Sequence, residues 1–122
     1  MIKTTTRELD QYFYLEREIE NLNRRLSSVK EEIEQTADPS PALIDTYQTI
    51  FKLLDRALSE FNRLGEYMAN IENDYIRQLF FLRYVEGLSW KHVAAAAGGN
   101  NTASGVKQAC IRYIQKTNKK ES

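Results

Sequence analysis

Leu82-Arg83-Tyr84-Val85-Glu86-Gly87-Leu88-Ser89-Trp90-Lys91-His92-Val93-Ala94 leads through Ala95-Ala96-Ala97 and Gly98-Gly99 into a basic stretch at 102–117. Gly87 offers the left-handed backbone that ends a helix, and a serine at position 89 suits the start of the next, where its hydroxyl accepts from a free amide. Four small residues, Ala94 to Ala97, leave that helix little bulk of its own, which makes sense if another helix packs closely against it. Gly98-Gly99 then closes it. The stretch is predicted to hold a short helix, Trp90 to Ala97, between two others, as in a helix-turn-helix whose last helix lies in a DNA major groove.

The pattern extends in both directions. Upstream, Asn73 or Asp74 is expected to cap a helix running to about Glu86, with Ile76, Leu79, Phe80, Arg83 and Tyr84 recurring at three/four spacing. Downstream, Asn100, Asn101 or Thr102 caps the last helix, with Val106, Cys110, Tyr113 and Ile114 as its inward stripe. That leaves Ser104, Lys107, Gln108, Ile111, Arg112 and Gln115 outward. The early polar members suit reading of base edges, and Lys116, Lys119 and Lys120 suit phosphates.

The N-terminal part carries a different signal. Tyr12, Leu15, Ile19, Leu22, Leu26, Val29 and Ile33 alternate in steps of three and four, the seam of a coiled coil. The residues between them are charged and solvated, with helical pairs such as Glu20 with Arg24. Asp38-Pro39-Ser40-Pro41 interrupts the helix, because proline has no amide proton and disfavours a helical residue before it. The steps resume at Tyr47, Ile50, Leu54, Ala57, Phe61, Leu64, Met68, Ile71 and Tyr75. Two such seams across a short loop predict an antiparallel hairpin. Two helices alone bury little apolar surface, so the hairpin is expected to form a homodimer or to dock on the C-terminal helices. The resulting expectation is an all-α chain: a long helical hairpin over 1–72 and a helix-turn-helix domain over 73–122.

Composition agrees with this reading. The chain has 122 residues, 42% hydrophobic and 28% charged, with 5 glycines and 2 prolines, which disfavours sandwiches, barrels and disorder. Its net charge of zero hides a split: residues 1–73 hold nine Lys/Arg against fourteen Asp/Glu, a net of −5, and residues 74–122 hold eight against three, a net of +5. A polyanion would be drawn to the second part and not the first. A single cysteine, a polar start and no apolar run of membrane length predict a cytoplasmic protein with no membrane partner.

Leu82-Arg83-Tyr84-x-x-Gly87-Leu88-Ser89-Trp90-x-x-Val93-Ala94-x-x-x-Gly98, with Val106-Lys107 and Arg112, resembles region four of bacterial sigma factors. It is more similar still to small sigma-like regulators of phages and prophages, the ArpU/RinA type, in which a coiled-coil part precedes the same pattern. The resemblance implies a DNA-binding transcription regulator. It implies a buried Val106 at the start of the recognition helix, DNA-facing Lys107, Gln108 and Arg112, Ser89 as a cap, and Trp90 and Val93 in the core. The chain departs from the sigma pattern in three places: a turn at 98–102 about two residues longer, His92 in place of an acid, and Ala109 in place of a base. The expectation is a sigma-like motif with an altered turn, not −35 promoter recognition.

Isolated residues offer little chemistry. His92 is the only histidine and has no cysteine cluster near it, so no metal, cofactor or catalytic residue is expected. Cys110 reads as a small core residue, and Trp90 as packed on the preceding helix in preference to stacking on a base. Gly98-Gly99-Asn100-Asn101 lacks the lysine and preceding strand of a phosphate loop. The leading functional reading is a non-enzymatic, sequence-specific regulator on double-stranded DNA. Two alternatives stand beside it: a module that binds RNA polymerase or another host protein through the acidic hairpin, and a DNA-packaging protein of the terminase small-subunit kind.

Overall fold

The computed structural model describes residues 4–121, with side chains through 119, and is all-α. The helices are α1 (Thr6–Gln35), α2 (Pro41–Ala69), α3 (Asp74–Phe80), which continues as a π-helical turn (Phe81–Val85), α4 (Trp90–Ala97) and α5 (Ala103–Glu121). No described helix is long and apolar enough to cross a membrane.

Local chemistry explains most boundaries. Thr5 and Glu8 form a reciprocal box at the start of α1: the Glu8 amide donates to Thr5 Oγ1 at 3.1 Å, and the Thr5 amide donates to Glu8 Oε1 at 3.1 Å. Pro41 opens α2 in a position where its missing amide proton costs nothing, and Ser40 Oγ accepts from the Leu43 amide at 3.2 Å. Asn73 caps α3 by accepting from the Ile76 amide at 3.0 Å. Ser89 caps α4 by accepting from the His92 amide at 3.3 Å. Thr102, of the three candidates, caps α5, accepting from the Gly105 amide at 3.0 Å.

Two compact units result: the described parts of Met1–Phe13 and Arg63–Ser122 form one, and Tyr14–Asn62 the other. The sequence boundary after residue 72 falls in the loop between α2 and α3, whereas the packing groups the start of α1 and the end of α2 with the C-terminal helices. In the first unit Leu9, Leu64, Met68, Ile71, Leu79, Phe80, Tyr84, Val93, Val106, Cys110 and Ile114 are buried. Phe80 is their aromatic centre, edge-on to Tyr84 at 5.4 Å and Tyr113 at 5.6 Å, with Tyr67 at 6.3 Å. Burying a ring of this size stabilises by roughly 2–3 kcal/mol. In the second unit Ile50, Leu54 and Ala57 of α2 are buried, and Leu22 and Arg25 of α1 share a cleft with Asp45, Thr46, Thr49, Ile50 and Leu53.

Two details differ from the sequence reading. The seam expected to run to Tyr75 stops with α2 at Ala69: Asn73 turns its side chain to capping α3, and Arg77 Nη1 captures the Ile71 carbonyl at 2.7 Å. Tyr75 becomes an exposed residue of α3. The helix expected from residue 74 to about Glu86 widens in its last turn, where the Glu86 amide reaches five residues back to the Phe81 carbonyl at 3.0 Å.

Candidate nucleic-acid interface

The last three helices pack together, and the sequence decides which side of α5 faces in. Val106, Cys110 and Ile114 are buried and Tyr113 is half-buried, the four residues of the expected inward stripe. Ser104, Lys107, Gln108, Arg112, Gln115, Lys116 and Lys119 are exposed on the other side, and Ile111 is half-buried among them. These eight span about 22 Å of helix at 1.5 Å per residue. No Asp or Glu occurs between Ala103 and Lys119, so the face is uniformly cationic or neutral. The side chain of Lys120 lies outside the described residues.

Arg112 is held lightly, its Nε 3.4 Å from the Gln108 carbonyl, which leaves the guanidinium edge for other partners. Lys116 borders a polar recess of about 550 Å³ with Asn70, Glu72, Asn73, Tyr113 and Thr117. It therefore stands at the margin of the face, toward α2 and α3, whereas Lys107 and Gln108 are on the first turns of α5.

The turn into α5 is braced from α3. Gly98 and Gly99 take positive φ, 79° and 69°, a backbone that favours glycine. Asn101 donates through Nδ2 to the Gly98 carbonyl, and Tyr75 donates its hydroxyl to Asn101 Oδ1 at 2.9 Å. The sequence assigned Tyr75 to a packing seam and did not anticipate this support.

Arg83 is the second support the sequence left unspecified. Its guanidinium lies 4.7 Å from the Trp90 ring centroid, donates to the Leu88 carbonyl at 3.0 Å and pairs with Asp10 at 3.6 Å. Trp90 is also edge-on to Tyr84 at 6.2 Å, so it packs on the preceding helix as expected. Gly87, at φ 75°, sits against Phe13: a Cβ built there would lie 2.8 Å from the ring. Residues of α1 thus grip both sides of the turn between α3 and α4.

His92 is exposed, with Nδ1 2.8 Å from Ser89 Oγ. Cys110 is fully buried, and burial pushes its thiol up to about 12 despite the opposing effect of nearby Arg83. Burial also raises the Tyr84 and Tyr113 phenols. Among the described residues no three His, Cys, Asp or Glu side chains gather in a metal-binding group. Comparison with known protein families, with curated proteins and with solved structures finds no match to this chain.

Proposed function

We propose that the chain is a sequence-specific DNA-binding transcription regulator, sigma-like and of phage or prophage type, without enzymatic activity. In this reading α4 and α5 are the two helices of a helix-turn-helix, and α5 enters the major groove with Ser104, Lys107 and Gln108 leading. Helices α1 and α2 form a coiled-coil hairpin that pairs two copies, and the protein works in the cytoplasm. The observation that carries the reading is the exposed face of α5: polar residues on the first turns, cations behind them and no acid between. The resemblance of residues 82–112 to sigma region four supports it, as does the +5 charge of residues 74–122.

Titrating labelled duplexes from the protein's own locus at several salt concentrations tests this. Salt-dependent binding is expected. Lys107→Ala with Arg112→Ala should lower the slope of log K against log salt by about 1 for each phosphate that is no longer neutralised. Absence of salt-sensitive binding to any such duplex sinks the proposal.

A second reading rests on Glu16, Glu18, Glu20, Glu31, Glu32 and Glu34, all exposed on α1. Such an acidic surface suits a basic patch on RNA polymerase or another host protein. It predicts a protein complex indifferent to substitution of Lys107 and Arg112, which a pull-down with that double variant distinguishes.

A further inference from the structure

Residues 98–102 lead into the first turns of α5, where Ser104, Lys107 and Gln108 stand exposed, yet the segment opens on two glycines. Gly98 and Gly99 both take positive φ, and glycine gives up the most conformational freedom when it is fixed. The hydrogen bonds within the segment are short-range. The Gly98 amide reaches the Ala95 carbonyl at a long 3.3 Å, Asn101 Nδ2 donates to the Gly98 carbonyl, and Thr102 accepts from the Gly105 and Val106 amides. Among the described residues the Tyr75 hydroxyl is the exception, reaching Asn101 Oδ1 from α3 at 2.9 Å. Asn101 thereby has both ends of its side-chain amide engaged, one across the turn and one on α3. The Tyr75 ring stays 41% exposed, so its main contribution there is the hydroxyl.

We infer that Tyr75 is a positioning residue for DNA sequence reading: through Asn101 it fixes the turn at 98–102, and with it the first turn of α5, before DNA arrives. The inference rests on the DNA-binding reading above. Packing of Val106, Cys110 and Ile114 sets which side of α5 faces in. The far end of the helix has ties of its own, Asn118 to Thr4 and the hydroxyls of Tyr67 and Thr117 to each other at 2.7 Å. Ser104 precedes all of these residues and depends on the turn before it. Base-edge hydrogen bonds need the reading side chains held to within about 0.5 Å, and a turn that orders only on binding costs affinity that an ordered one keeps. Phosphate contacts tolerate such displacement, because Coulomb attraction falls slowly with distance. Tyr75 touches no DNA in this account. Loss of its hydroxyl should therefore reduce discrimination between sequences and leave the electrostatic part of binding as it was.

The test compares binding to a duplex that the wild-type chain selects from random DNA with binding to a shuffled duplex of the same composition. The full-length wild type, Tyr75→Phe, Asn101→Ala and the double variant are measured. Tyr75→Phe keeps the ring and should lower the selected-to-shuffled affinity ratio about three- to tenfold, with affinity for shuffled DNA and its salt slope unchanged. Asn101→Ala should lower the ratio at least as much. Adding Tyr75→Phe to it should change nothing further, because the hydroxyl has already lost its partner. In the DNA-free protein, Tyr75→Phe should speed amide exchange at Gly105 and Val106, whose partner is Thr102. A general loss of stability would instead weaken both duplexes alike. An unchanged ratio or unchanged exchange in Tyr75→Phe, equal losses on the two duplexes, or additive losses in the double variant overturns the inference. A wild-type chain that prefers no duplex takes the DNA reading down with it. One whose preference survives Tyr75→Phe overturns this inference alone.

Discussion

Arg83 shows how much one side chain can do when three kinds of interaction converge on it. It balances the Asp10 carboxylate, takes up the Leu88 carbonyl in the turn before α4, and lies over Trp90. Its long side chain connects residues on α1, the turn and α4. Nothing in its immediate sequence announces this, because each partner is brought to it by a different element. Cys110 is the opposite case, a residue whose place was evident from the phase of its helix. With its thiol held protonated to about 12, it should resist a disulfide reagent in the folded protein and react readily in urea. The unfolded thiol loses its proton near 8.5 to 9 while the folded one keeps it, so between those values and about 12 the folded state binds more protons. The thiol's contribution to stability should therefore be constant below about pH 8.5 and then fall by about 1.4 kcal/mol per pH unit. Urea midpoints between pH 7 and 10 measure this, and a Cys110→Ala variant that keeps the fall between pH 9 and 10 would refute it.

At the scale of elements, helix ends were the most legible part of the sequence. Asn73, Ser89 and Thr102 each satisfy an amide of the following first turn, and this chemistry needs only residues within three positions. Gly87 and Gly98 both terminate helices at positive φ, yet their surroundings differ: Phe13 crowds the first, and nothing lies within 4 Å of a Cβ on the second. Gly98→Ala should therefore cost about 1–3 kcal/mol, the backbone penalty of a glycine-only conformation (φ 79°, ψ −179°) alone. Gly87→Ala should cost about 2–4 kcal/mol, because the ring must also move. A Gly87→Ala loss that Phe13→Ala in the same chain does not relieve would show that Phe13 does not restrain the turn. The seam of α2 was less legible at its end. Three/four spacing continues in phase through Ile71 to Tyr75, and periodicity does not register a cap and a captured carbonyl that break the helix between them. The π-helical turn at Phe81–Val85 leaves no mark in the spacing either.

At the scale of the molecule, Thr4 is bound to Asn118 across 114 residues of chain. The Thr4 amide donates to Asn118 Oδ1 at 3.1 Å, and Asn118 Nδ2 donates to the Thr4 carbonyl at 2.7 Å. Arg63 adds an ion pair to Glu8 and a 3.3 Å bond to Thr4 Oγ1. Asn118→Ala should remove both amide bonds and destabilise by about 1–3 kcal/mol, with faster amide exchange from Val106 to Ile114 as well as at Thr4. Exchange that changes at Thr4 alone would mean that the N-terminal segment is merely attached to this unit and does not support it. By itself the sequence determined the all-α class and the inward and outward sides of α5, because side chains three or four apart on a helix must share a face, and it singled out Ser89 as a cap while leaving two candidates for α3 and three for α5. It also marked the residues of the candidate DNA-reading surface. Only the tertiary structure decided that residues 4–13 belong with the C-terminal helices, that Tyr75 braces a turn and that Arg83 joins three elements. Those pairings lie 26 to 114 residues apart for Tyr75 with Asn101 and Thr4 with Asn118, and separations of that length leave no local pattern to read.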